Sequence, residues 1–193
     1  MKKSLFALFL LFISISLIAQ PVFDLGIKGG ANFSKISLEL EDYSSESVVK
    51  MHFGAFARIG WERIFIQPEV YFSGKGGDIN SGVLSNVTSF DFKTVDIPAL
   101  LGLKIIKSKA ISLHAVAGPV FSKITKSDIS NSDFFDEDFY KKHYFGIQYG
   151  LGVDVLFLTF DARMENAFNE FYTQSGNGGK NSTFMLSLGF KFL

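Results

Sequence analysis

The chain has 193 residues, enough for one domain of ordinary size, and carries 19 basic and 19 acidic side chains. This even balance argues against nucleic acid as a partner, and the absence of cysteine excludes disulfides, thiolate metal sites and a cysteine nucleophile. The unusual figures are 23 Phe against one Trp, 18 Gly, only four Pro and a mean hydropathy of +0.23.

Residues 1–19 have the pattern of a secretory signal peptide. Lys2 and Lys3 precede an apolar run from Leu5 to Ile18, and Ala19 and Gln20 offer a cleavage point. The run is short for a membrane-spanning helix, which takes about 20 residues. Removing it takes away two lysines and leaves a mature chain, residues 20–193, with a net charge of about −2.

The mature chain alternates apolar and polar residues with the two-residue period of strands, and helical periodicity is almost absent. Phe23, Leu25, Ile27, Ala31 and Phe33 oppose Asp24, Gly26, Lys28, Gly30, Asn32 and Ser34. From Met51 to Trp61 the apolar side again opposes His52, Gly54, Phe56, Arg58 and Gly60. Ile66 to Ser73 sets its apolar residues against Gln67, Glu69 and Tyr71. Val95 to Ile105 follows, then Ile111 to Ser122, Phe145 to Asp154, Leu158 to Asn169 and Phe184 to Phe192. That makes about eight strands. Connections are short near Glu62–Arg63, Lys107–Lys109 and Leu156–Phe157. They are long near 37–49, 75–90, 124–142 and 170–181, and GKGGD (74–78) and GNGGK (176–180) read as turns.

No second long apolar run follows the signal, so a membrane location requires a closed barrel, the other structure that satisfies every backbone group in lipid. The expected fold is all-β: an eight-stranded antiparallel up-and-down transmembrane barrel with a filled polar interior. A soluble lipocalin-like barrel, with its apolar face inward around a ligand, is the alternative. Aromatics decide for apolar-out. They mark both ends of one face: Phe23 and Phe33, Phe53 and Trp61, Phe160 and Phe168, Phe184 and Phe192. Eight to ten residues at about 3.3 Å each, tilted about 40°, cover about 20–25 Å, the height of an apolar band between two aromatic girdles. The other face carries Lys28, Arg58, Lys104, Arg163 and Lys191 against Asp24, Glu69, Asp96, Asp154, Asp161 and Glu165, a set able to pair inside a lumen too narrow for a channel.

Several stretches in order resemble the PorT-like outer-membrane β-barrel family of Bacteroidetes. They are LGIKGGANFSKI (25–36), HFGAFARIGWERIFIQPEVYFSGKGG (52–77), VDIPALLGLKI (95–105), AGPVFSKI (117–124), FGIQYGLGVDV (145–155) and FMLSLGFKFL (184–193). The Gln-Pro-Glu and Asp-Ile-Pro elements are the most specific. The resemblance implies an eight-stranded outer-membrane barrel, and its namesake implies a link to type IX protein secretion.

Candidate chemistry is sparse. His52 and His114 point inward and His143 lies at a loop end, but no local motif fixes a nucleophile–base–orienter set of the kind a lipid A-modifying barrel enzyme needs. No catalytic, cofactor or metal residue is therefore assigned. In the loop at 124–142, Asp128, Asp133, Asp136, Glu137 and Asp138 have the ligand chemistry for Ca²⁺ without an EF-hand pattern. Phe134, Phe135, Phe139 and Tyr140 there suit a protein partner, although a solvated outer loop is the plainer reading. The remaining expected partners are outer-membrane lipid and lipopolysaccharide, and the assembly machinery, read through the aromatic C-terminal strand. The functional expectation is a non-porin barrel with a structural or interaction role, linked to secretion or surface binding.

Overall fold

The computed structural model describes residues 22–38, 43–61, 63–81, 87–108, 110–130, 142–168, 172–174 and 177–192. Residues 1–19, Asn169, and the loop residues Asp133, Phe134, Phe135, Asp136, Glu137, Asp138, Phe139 and Tyr140 lie outside these ranges. Among the described residues there is no helix, and the strands are β1 (Val22–Leu38), β2 (Tyr43–Glu46), β3 (Val48–Trp61), β4 (Ile64–Ser81) and β5 (Val87–Lys107). They continue with β6 (Ile111–Ser130), β7 (His143–Val155), β8 (Leu158–Ala167), β9 (Tyr172–Gln174) and β10 (Asn177–Lys191).

Each long strand pairs antiparallel with the next along the wall β1-β3-β4-β5-β6-β7-β8-β10. Pairing of β10 with β1, from Gly26↔Lys191 to Leu38↔Gly179, closes it. Closure removes the edges of the wall, so each of its eight long strands has a hydrogen-bonding neighbour on both sides. The small strands extend the wall at one end: β2 pairs with β4 and β9 with β10. This closed barrel has eight strands, with β2 and β9 as short additions.

The three short connections fall where the sequence places them, at 62–63, 108–110 and 156–157, all at the end that holds Val22 and Phe192. At the other end the strands run further than the alternation suggests. GKGGD at 74–78 is not a turn but the interior of β4, in register with Phe90 to Lys93 and Ser89 of β5. Asn177–Lys180 of GNGGK likewise opens β10. The connections set at 37–49, 75–90, 124–142 and 170–181 are correspondingly shorter. Glycine and serine lowered the strand signal there, but ladder hydrogen bonds to neighbouring strands override local propensity.

The apolar face points out. Phe23, Phe33, Phe53, Trp61, Phe160, Phe168, Phe184 and Phe192 are all exposed on the outer wall, as are Ile66, Val70, Ile97, Leu101, Leu151 and Leu188 between the two aromatic levels. Lys28, Arg58, Glu69, Asp96, Asp161, Arg163 and Glu165 are instead buried within. This facing overturns the lipocalin-like alternative, which needs the reverse.

Glycines inside the wall are what let large side chains fit. Gly26, Gly54 and Gly102 lie directly across from Phe56, Tyr71 and Phe65 on the neighbouring strands. In each case the opposite ring covers the glycine, so an added Cβ would strike it. At Gly102 the Phe65 ring occupies that space, and the Arg58 guanidinium in turn stacks 4.5 Å from the ring centre. Gly102→Ala should therefore force Phe65 off its site and lower unfolding free energy by about 1–3 kcal/mol, read as a drop in urea midpoint in detergent micelles.

Candidate functional site

Alternation aims one side chain in two from every long strand into a lumen that these side chains fill. The result is a stack of three ion-paired tiers. Nearest the short turns, Arg58 Nη1 contacts Asp154 Oδ2 at 2.6 Å, its Nε donates to Gln67 Oε1 at 2.7 Å, and Asp24 lies at 3.9 Å. Lys191 approaches the same Asp154 oxygen at 3.6 Å.

The middle tier is a square of alternating charge. Lys28 Nζ meets Glu69 Oε1 at 3.0 Å and Asp161 Oδ2 at 2.7 Å. Arg163 meets the same two residues, Glu69 Oε2 at 2.8 Å and Asp161 Oδ2 at 3.2 Å. Arg163 also donates to the Tyr71 hydroxyl at 3.2 Å, and His114 Nε2 lies 3.2 Å from Asp161 Oδ1. These side chains come from β1, β4, β6 and β8, so the square ties opposite walls together.

In the upper tier Lys75 Nζ contacts Asp96 Oδ2 at 2.8 Å and Glu165, and donates to the Tyr144 hydroxyl at 2.9 Å. Gln148 donates to Glu165 at 2.8 Å. Lys75 falls in a stretch whose glycine-rich composition predicts a loop, so it is absent from the inward set expected from the alternation. Its phase was visible: it continues the series Tyr71, Ser73, which faces inward. Among the described residues, with Lys75 counted, six inward cations, the five predicted ones and this lysine, meet the six predicted inward carboxylates.

Beside the square, the structure assembles a set that the sequence did not. His52 Nε2 is 2.8 Å from Ser187 Oγ, and its Nδ1 is 2.7 Å from Asn32 Oδ1. That is the spacing of nucleophile, base and orienting group. The Asn32 amide, however, donates onward to Ser73 Oγ at 2.8 Å and the Gly74 carbonyl at 2.9 Å. All three residues are buried in the lumen, Ser187 being 9% exposed. His114 sits deeper, edge-on to Phe65. His143 is exposed on the outer wall beside Phe121, not on the interior. Among the described residues no His, Asp and Glu group has the arrangement of a metal site.

An apolar outer wall, a closed ladder and a charge-filled lumen are the attributes of a membrane barrel. A family model described as outer membrane protein beta-barrel domain matches residues 18–173. The chain belongs to this outer-membrane barrel family. Among solved structures, the barrel is similar to the outer membrane protein OprG from Pseudomonas aeruginosa, with 15% identity, 90% of this chain and 98% of that chain covered, and a TM-score of 0.54. Neisserial surface protein A shares 14% identity over 87% of this chain and 97% of that one, with a TM-score of 0.50. At these identities the likeness speaks for the fold alone. No curated protein is significantly similar to the chain.

Proposed function

We propose that this barrel is a closed, non-conducting scaffold of the outer membrane, whose work is done by what its outer end and outer wall bind. The filled lumen carries this reading: the paired charges of Lys28, Glu69, Asp161 and Arg163 cross it from wall to wall and are buried. In this reading residues 1–19 are a cleaved export signal. The aromatic last strand, Phe184 to Phe192, is what the assembly machinery engages. The stretch at 124–142, the end of β6 and the connection that follows it, is the leading candidate for a protein partner. Its aromatics and carboxylates suit that role, and the rigid barrel would hold it in place. The PorT-like resemblance adds the narrower reading of a role in protein secretion; the barrel geometry itself supports surface interaction.

A lipid A-modifying enzyme is the weaker reading. Ser187, His52 and Asn32 have hydrolase-like spacing, but they are buried on the lumen face, opposite the outer wall that meets lipid acyl chains. Conductance tests the main proposal. The purified, refolded chain should give no discrete current steps in planar bilayers at molar salt. Stable unitary steps from the wild type would defeat the closed-scaffold reading.

A further inference from the structure

The outer wall carries a charged notch that the interior network does not use. Between His52↔Ser73 of β3 and β4 and Glu46↔Asp78 of β2 and β4, five residues face four, so the wall bulges by one residue. Lys50 lies in this bulge. Its stem crosses above Gly74, whose missing side chain leaves the space open, and its Nζ reaches Asp91 Oδ1 at 2.6 Å. Gly74 is in register with Lys93, and Lys93 with Lys126 on the next strand. Together with Phe92 these residues line a cavity of about 160 Å³ on the outside of the barrel.

Two features give the notch a preferred ligand. Lys93 and Lys126 are exposed and directly opposite one another, while Asp91 is already paired with Lys50. Like charges facing across a ladder are destabilising unless an anion sits between them. The second feature is height. One step toward the short turns lie the outward Phe53, Phe72 and Val95, with Lys123 beside Val95 in register. The notch therefore stands immediately above the aromatic level at the long-connection end, which in outer-membrane barrels is the outer leaflet's headgroup zone.

Building on the outer-membrane reading, we infer that the notch of Lys50, Gly74, Lys93 and Lys126 binds the phosphate of an outer-leaflet glycolipid such as lipid A. The acyl chains lie along the apolar wall below, and the two facing lysines clasp the phosphate above. A free phosphate offers the lysines the same charge but leaves the apolar wall unused.

The test titrates the full mature chain, refolded in a zwitterionic detergent, with bisphosphorylated lipid A, with chemically dephosphorylated lipid A and with inorganic phosphate. Lys93→Gln combined with Lys126→Gln should weaken binding of bisphosphorylated lipid A by about 10- to 30-fold. Gly74→Leu, which fills the notch and leaves every charge, should weaken it as well. Dephosphorylated lipid A should bind the wild type no better than the double variant binds the intact lipid. Unchanged affinity in the double variant overturns the assignment. So does dephosphorylated lipid binding as well as intact lipid, or inorganic phosphate competing at the lipid's own concentration. Heat-modifiable gel migration of each variant reports the folded barrel separately, so a failed barrel and a failed site give different results.

Discussion

Arg163→Met should lower the unfolding free energy of the barrel by about 3–5 kcal/mol, one of the two largest effects of a single substitution expected here. Arg163 is 2% exposed and contacts both carboxylates of the middle tier, Glu69 at 2.8 Å and Asp161 at 3.2 Å. Without it, Lys28 alone faces two buried anions, and the tier carries an uncompensated negative charge. The loss comes from that orphaned charge rather than from any net gain of the intact pair, because burying ions already costs desolvation. A second substitution separates the two. Glu69→Gln beside Arg163→Met restores a balanced Lys28–Asp161 pair and should recover more than half of the loss in a double-mutant cycle. Urea titration in micelles, followed by the fluorescence of Trp61 and by gel migration, gives the numbers. An Arg163→Met barrel within about 0.5 kcal/mol of wild type would mean that water or counterions, not Arg163, balance the lumen.

The alternation carried the architecture because a barrel has one simple rule: in a closed wall between lipid and a packed lumen, every side chain faces one or the other. Hence the inward set Lys28, Arg58, Glu69, Asp96, Asp161, Arg163 and Glu165 was legible residue by residue, as were the aromatic ends of the outer face. What the pattern could not show was where strands stop. Gly74 to Asp78 has turn composition, yet β5 supplies hydrogen-bond partners all along it, so β4 continues and carries Lys75 into the lumen. Pairing across strands is also invisible to a one-dimensional reading. His52, Asn32 and Ser187 lie on three strands, and only ring closure between β1 and β10 brings them together. The notch on the outer wall was hidden for the same reason: Lys50, Lys93 and Lys126 are far apart in sequence, and a one-residue bulge sets where Lys50 lies.

The outward stripe yields the second large effect, and it depends on depth. Leu101→Arg should destabilise the barrel in lipid vesicles by about 2–4 kcal/mol, whereas Ile106→Arg on the same strand should cost about 0–1 kcal/mol. Leu101 is 60% exposed on the outer wall, between Ile66 and Ala117 in register and near the middle of the outward run from Val95 to Ile105. An arginine there must hold its guanidinium near the bilayer midplane. Ile106 is similarly exposed at 55%, but it stands at the short-turn end beside Lys107, where a guanidinium reaches the headgroups. Ala57→Arg, half-buried mid-strand on the same outer face of β3, should follow Leu101→Arg and impair assembly into membranes. Exposure alone predicts equal effects at Leu101 and Ile106, so the gradient isolates the lipid contribution. Equal losses at the two sites, or none at either, would remove the bilayer as the medium that this face meets.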